Sequence, residues 1–330
     1  MIIYVLTFII IIVLIFTNAV TDAPNAIATL VGTKVMPFKK AAYMSALFNF
    51  IGIVVMSFVN ISVANCISSM VDLNDSKNGM IVLMSGMTSV IVYALVAMKF
   101  GIPTSETHGL IAGLTGATVA IYGWRAVSID EWKNVLIGLV WSILGILIIG
   151  YIVTKIFVKI KISKKQTIEK AQIAGCCGMS FMHGAQDGQK FIGILIMFFC
   201  LVENVKIPEV INPFNYVWII IYTAFIMAMG VSIGGKKIVE NIGSQMVELD
   251  NKQALMSDIT TVFTLFVASI KGLPVSTTHA KTMSIIAIGR NENSKIDKKK
   301  VFNICKAWFF NFPISGIIGY ALAIAIKSIV

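Results

Sequence analysis

Charge is what this chain has least of. Only 13% of its 330 residues are Asp, Glu, Lys or Arg, against about 25% in soluble domains. Hydrophobic residues make up 57%. One soluble core of this length could not hide so much apolar surface, so an ordinary water-soluble fold is excluded and lipid is the expected solvent. Arginine is scarcer still. Arg125 and Arg290 stand beside 25 lysines, so recognition of an oxyanion by paired arginine forks is barely available. The five cysteines (Cys66, Cys176, Cys177, Cys200 and Cys305) form no Cys-x-x-Cys pair. They lie in or beside apolar stretches, as reduced packing residues do. There is no Gly-x-x-x-x-Gly-Lys-Ser/Thr run and no His-Glu-x-x-His pattern. Nothing therefore marks a nucleotide-driven pump or a zinc protease.

What is present is a series of ten apolar segments. They run at approximately 2–21, 41–64, 79–98, 101–122, 133–158, 172–202, 215–235, 254–271, 273–289 and 302–328. Each is long enough, or nearly so, to cross ~30 Å of hydrocarbon as a helix. The stretch from Ile2 to Phe16 resembles the apolar core of a signal peptide. It lacks a basic leader and runs into polar residues of functional type, so it reads as a retained first span.

The formal net charge of +11 invites a nucleic-acid reading, but the placement of the charges argues against it. Lys34, Lys39 and Lys40 follow segment 1. Lys155, Lys159, Lys161, Lys164, Lys165 and Lys170 follow segment 5. Lys236, Lys237 and Lys252 follow segment 7, and Arg290, Lys295, Lys298, Lys299 and Lys300 follow segment 9. All four are odd-numbered loops. The acids Asp72, Asp75, Asp130, Glu131, Glu203 and Glu209 sit in even-numbered ones. Positive charge marks the cytoplasmic side, so a multi-pass protein of the cell membrane is expected, with both termini outside.

The chain also repeats itself. Segment 1 ends in Thr-Asn-Ala-Val-Thr-Asp-Ala-Pro-Asn-Ala around Asp22, and segment 6 holds Met-His-Gly-Ala-Gln-Asp-Gly-Gln-Lys around Asp187, an offset of 165 residues. Gly101–Gly109 (GIPTSETHG) is echoed by Gly272–Ala280 (GLPVSTTHA), with an offset of 171 residues from His108 to His279. Two motifs recur in the same order at nearly the same offset. Each half holds five crossings, and an odd number makes the second half enter from the opposite face. The expected fold is therefore an all-α integral membrane protein of about ten to twelve membrane segments. It divides into two inverted-topology repeats, residues 1–165 and 166–330, with broken or re-entrant helices at a central site.

The repeated motifs carry the chemistry. Asp22 and Asp187 lie within or at the edge of apolar segments. A carboxylate there costs at least ~2.5–3.5 kcal/mol to insert, which makes it a functional candidate by default. Pro24, Gly184, Gly188 and Gly193 are residues expected where a membrane helix is interrupted. Pro103 and Pro274 each precede hydroxyls: Thr104, Ser105 and Thr107, then Ser276, Thr277 and Thr278. Ser or Thr before a resuming helix is an N-cap, and the free N–H groups of that helix suit an anion. Two such ends from two inverted halves are expected to converge on one tetrahedral oxyanion, with Asn25 and Gln186 beside it. Two aspartates would repel that anion, so a coupling cation, Na⁺ or H⁺, is expected at Asp22 and Asp187. Thr21, Asn18 and Gln189 would supply neutral oxygens. All three histidines, His108, His183 and His279, fall inside the motifs. They are expected to orient loops, with proton handling as the other possibility. Glu106 is a further intramembrane acid, and Lys190 is a counter-charge for Asp187 or the anion.

These residues resemble the PiT family of inorganic phosphate transporters. The resemblance lies in Asn18–Thr29, Phe181–Gly193, Gly101–His108 and Gly272–His279, and in their order and spacing. It implies a phosphate symporter driven by Na⁺ or H⁺, usually a homodimer, with no resident cofactor and no enzymatic reaction. It also implies that the aspartates and the Ser/Thr clusters form the phosphate and cation sites. Departures touch the site. Ala19 replaces a glycine, Glu106 replaces a threonine, and Thr21 and Gln186 stand where the family often has Asn or His. Sulfate or another tetrahedral oxyanion is the nearest alternative cargo. A passive anion channel and an intramembrane metallo-enzyme are the other readings.

Overall fold

The computed structural model describes residues 2–22, 24–73, 75–99, 104–160, 164–235, 239, 247 and 249–329. Among these residues every regular element is a helix, and the strand-like contacts are two isolated bridges, Val71–Val127 and Val247–Ile296. A chain solvated by lipid must satisfy its backbone within each segment, and the helix does so.

The first half contains α1 (Ile2–Asp22), α2 (Pro24–Gly32), α3 (Phe38–Val59) and the short α4 (Ser62–Ser68). It continues with α5 (Ser76–Lys99), α6 (Glu106–Tyr122), α7 (Ile129–Val140) and α8 (Ile146–Lys159). The second half contains α9 (Lys165–His183), α10 (Gln189–Glu203), α11 (Val217–Ile233), α12 (Asn251–Ile270), α13 (Thr277–Asn291) and α14 (Lys298–Ile329). Eight helical paths among the described residues are long and apolar enough to cross a membrane, against ten segments read from the sequence. The two that fall out are α6 and α13, with 17 and 15 residues. At 1.5 Å per residue they reach only about 25 Å and 23 Å.

The reason is that these helices are arms of hairpins. α5 and α6 run antiparallel, with the Tyr122 hydroxyl donating to Asp75 Oδ2 (3.1 Å) at their open end. Partial burial alone would raise the Asp75 carboxyl. The Asn78 N–H and amide and the Tyr122 hydroxyl donate to it and hold it below its ordinary value. α12 and α13 pair in the same way, with Ser294 Oγ on Gln253 Oε1 (3.2 Å) at the open end and Ser257 on Ser284 (2.8 Å) midway. Ser105 and Ser276 cap α6 and α13 at the opposite, inner ends, accepting from the backbone N–H of His108 and His279. Pro103 and the turn before it lie outside the described residues.

The second signature segment also differs from expectation. Lys165–Glu203 is one continuous helical path, not a broken helix. Gly184–Gly188 forms a π-helical turn within it. A π turn widens the helix and re-aims Asp187 without leaving backbone groups bare in lipid.

α1 packs on α5 and α11, while α9 packs on α12 and α3. The inner arms cross over: α6 lies against α14 of the second half, and α13 against α8 of the first. Two of the helix crossings are close. A Cβ on Gly52 of α3 would stand 2.0 Å from the Phe181 carbonyl oxygen of α9, and one on Gly230 of α11 would stand 2.9 Å from that of Phe16 on α1. Gly52→Ala therefore requires α3 and α9 to separate. Overpacking of this kind costs about 1–3 kcal/mol. We expect a lower unfolding midpoint in detergent, read by a thermal melt of the purified protein, with no such loss for Ala at the outward-facing Val55.

Candidate functional site

Asp187 rides on the π turn with both oxygens occupied. Lys190 Nζ donates to Oδ1 (2.5 Å) and the Thr277 hydroxyl donates to Oδ2 (3.0 Å). Asn49 Nδ2 donates to His183 Nδ1 (2.6 Å), which places the ring proton on Nε2, 3.1 Å from Asp187 Oδ2. The next hydroxyl along α13, Thr278, donates to Asp22 Oδ1 (2.8 Å) and accepts from Asn25 Nδ2 (2.9 Å). Asn18 Nδ2 donates to Asp22 Oδ2 (3.3 Å). Two adjacent threonines at one helix N-terminus thus hold the two signature aspartates, one from each half.

The tip of the other hairpin meets the same cluster. Lys190 Nζ also donates to Thr107 Oγ1 (2.5 Å) and to the Val275 carbonyl (2.8 Å), so one ammonium joins both hairpin tips to Asp187. The Thr21 hydroxyl of α1 donates to Glu106 Oε1. His108 and His279 touch each other edge to face, with ring centroids 4.6 Å apart. They lean on Phe312 and Trp308 of α14 respectively. The two rings join the tips to each other and to α14.

Other predicted residues are placed differently. Gln186 spans the end of α12 and the loop before α13: Nε2 donates to Ser269 Oγ of α12 (2.9 Å) and Oε1 accepts from the Val275 N–H of that loop (3.3 Å). It braces that loop. Gln189 Nε2 donates to the Asn60 carbonyl (2.7 Å) between α3 and α4. Ser105 and Ser276 act as caps, while Thr104 and Pro274 are buried at the inner ends.

Several site residues were not read from the sequence. Asn49 orients His183. Asn311 of α14 donates to the Ser105 carbonyl (2.5 Å) and accepts from Ser315 (3.0 Å), anchoring the α6 tip. A second buried ion pair joins Lys281 of α13 to Asp258 of α12, with Thr29 of α2 donating to the same carboxylate (2.9 Å). Both charged side chains are 0% exposed. The signal for the pair is present in the sequence: each is a lone ionisable residue inside an apolar run.

The centre is sealed from both faces. Asp22, Asp187, Glu106 and Lys190 are each at most 4% exposed. Three carboxylates face one ammonium in this cluster. The oxygens Asn18 Oδ1, Asn25 Oδ1 and Glu106 Oε2 are buried without a hydrogen-bond donor. A hard cation prefers oxygen ligands of this kind, so the residue set fits Na⁺. The N-termini of α6 and α13, with Thr107, Thr277, Thr278 and Lys190, supply the donors an oxyanion needs. Among the described residues no group of three or more His, Cys, Asp or Glu side chains converges as a metal cluster.

Comparison with known proteins finds phosphate transporters among those this chain resembles. The profile described as the phosphate transporter family matches residues 18–319. A probable low-affinity inorganic phosphate transporter of Rhizobium meliloti is 30% identical over 319 residues, covering 92% of this chain and 90% of its own. One from Bacillus subtilis is 28% identical over 310 residues, covering 92% and 91%. The rat sodium-dependent phosphate transporter 1 is 30% identical over 160 residues, 48% of this chain and 23% of that one. A solved structure titled the sodium-dependent phosphate transporter superposes over the whole of both chains with a TM-score of 0.89 at 21% identity, a likeness of fold.

Proposed function

The chain belongs to the phosphate transporter family, and on that premise we propose that it carries inorganic phosphate across the cell membrane by Na⁺-coupled symport with alternating access. The family's members are transporters and not enzymes. The observation that carries the finer reading is the bridge made by Thr277 and Thr278. These hydroxyls end on Asp187 and Asp22. A phosphate entering at the two helix N-termini would compete for the same hydroxyls and for Lys190. Its arrival would free carboxylate oxygens, and a cation would be recruited to them. Binding of anion and cation is then mutually dependent, which is the requirement for symport. The name of the rat relative supports Na⁺ as that cation.

The division into inverted halves, 1–165 and 166–330, belongs to the same reading. Its support is that α1 sits on α5 and α11 as α9 sits on α12 and α3, and that α6 lies on α14 as α13 lies on α8. The open end of one hairpin lies by the acidic loops and that of the other by the lysine-rich ones, as expected with both termini outside. Rocking one half against the other would open the centre to each face in turn.

The experiment is uptake of labelled phosphate into proteoliposomes holding the purified protein. Uptake is expected to saturate, to rise with an inward Na⁺ gradient and to withstand excess sulfate. Phosphate at neutral pH carries a proton that a carboxylate can accept, and sulfate has none to give. Sulfate uptake without phosphate uptake would overturn the cargo. Uptake that follows a pH gradient and ignores Na⁺ would overturn the coupling ion.

A further inference from the structure

α14 packs one face on α5 and α6 and turns the other outward. On the outward face Lys299, Phe302, Lys306 and Phe309 follow at steps of three, four and three residues. That spacing sets them in one stripe along the helix. All four are exposed, the two rings by 63% and 72%. Apolar rings facing outward are ordinary in a chain solvated by lipid. The lysines are not.

Asn311 holds the α6 tip, which this architecture places near the centre of the bilayer. Lys306 lies five residues from it, about 7.5 Å along the helix, and so within the ~15 Å half-thickness of the hydrocarbon. Helical side chains lean toward the N-terminus of their helix. Lys306 does so: its ammonium stands 5.6 Å from the centre of the Phe302 ring, one turn nearer the lysine-rich end. The long stem thus carries the charge to the edge of the hydrocarbon, where lipid phosphates begin.

The protein gives these charges no counter-ion. The nearby acid, Asp297, pairs with Lys300 (3.9 Å) and accepts from the backbone N–H groups of Lys299 and Lys300. Among the described residues no carboxylate pairs with Lys299 or Lys306. An uncompensated ammonium at the edge of lipid is costly. A second copy of the chain does not answer it. A two-fold interface meets itself, so pairing across this stripe would set Lys306 against Lys306. The anion at hand is that of the membrane, since the cytoplasmic leaflet is rich in anionic head groups that basic clusters attract.

We propose that the stripe Lys299, Phe302, Lys306 and Phe309 binds an anionic glycerophospholipid of the cytoplasmic leaflet. The two ammoniums hold the anionic head group, and an acyl chain lies along the two rings. A zwitterionic lipid brings its own cation beside the phosphate and compensates the pair less well. The other side of the same helix carries Trp308, Asn311 and Phe312, which meet His279, the Ser105 carbonyl and His108 at the hairpin tips. The bound lipid steadies the wall behind the central site, whatever the cargo.

Purified full-length protein in detergent tests this. Phosphatidylglycerol or phosphatidylcholine is titrated into the micelles, and the thermal midpoint is followed. A ligand of the folded state raises the midpoint in proportion to its occupancy. For wild type the midpoint is expected to rise saturably with phosphatidylglycerol and not with phosphatidylcholine. For Lys306→Gln the half-saturating lipid fraction is expected to rise about fivefold, and for Lys299→Gln with Lys306→Gln about 25-fold, the scale on which single lysines contribute beside an anionic surface. Lys299→Gln alone, at the exposed helix end, reads the same site if Lys306→Gln does not fold. Lys327→Gln, at the far end of α14, is expected to respond as wild type does, which separates a site from a general attraction to net positive charge. An equal response to the two lipids overturns the proposal. So does an unchanged lipid dependence in the folded variants, or an equal loss in Lys327→Gln. A disulfide joining two copies through the exposed Cys305 beside the stripe, formed on mild oxidation in liposomes, would put a second copy on this face and overturn it as well.

Discussion

Asp187→Asn is expected to abolish phosphate uptake while leaving a protein that reaches the membrane. The substitution keeps the size of the side chain and an oxygen for Thr277. It removes the charge that Lys190 and His183 face. Lys190 would then be a buried ammonium held by Thr107 and the Val275 carbonyl alone. Removing one partner from a buried ion pair costs about 3–5 kcal/mol. That cost appears as a lower thermal midpoint, while uptake per recovered protein is expected to fall to background because the carboxylate that the proposed symport frees is gone. Labelled uptake, normalised to protein recovered in the liposomes, is the measurement. Lys190→Met in the same background removes the stranded charge and is expected to restore thermal stability but not transport. A folded Asp187→Asn protein that transports at the wild-type rate would mean that Asp187 is not part of the central site.

Asp187 could be found in the sequence because the chain states it twice. An aspartate in an apolar run is suspicious by cost alone, and its counterpart at Asp22 makes the suspicion a pattern. The same duplication picked out Ser105 with Ser276, which the structure places as matching caps. What the pattern could not supply is pairing across distance. Lys190 joins Thr107, 83 residues away, to Val275, 85 residues away in the other direction. No local spacing encodes that triangle. It arises only when the two hairpins converge. Gln186 shows the complementary case. Its place beside Asp187 suggested a ligand for the anion, and an amide offers both a donor and an acceptor; here the Ser269 hydroxyl of α12 takes the donor and the Val275 N–H takes the acceptor. The hairpins themselves were hidden by hydropathy. Two antiparallel arms and two crossings give the same apolar runs, and only the short lengths of α6 and α13 distinguish them.

Lys281 offers the sharpest test of the part that no motif announced. It and Asp258 are 0% exposed, and they join α13 to α12 three residues along α13 from Thr278, which holds Asp22. The Thr29 hydroxyl ties the pair to α2, and the Gln172 amide of α9 donates to the Thr29 carbonyl (3.2 Å). Lys281→Met keeps the length and apolar stem of the side chain and removes the charge. Asp258 would be left as a buried carboxylate with one hydroxyl donor, at a cost of about 3–5 kcal/mol. In a detergent melt that corresponds to a midpoint lower by roughly 5–15 °C, on the scale by which larger domains respond. Asp258→Asn added to Lys281→Met removes the stranded charge and retains an acceptor for Thr29. The double variant is expected to regain most of the lost stability, since replacing both partners of a buried pair is often neutral where removing one is not. A double variant no more stable than Lys281→Met would refute the pairing. Transport separates two roles for the pair. If it only clamps the hairpin, the double variant carries phosphate at a rate near that of wild type. If instead its separation is a step of the cycle, the double variant folds as stably as wild type and still transports more slowly, because the hairpin has lost the charged contact that favours one of its two positions.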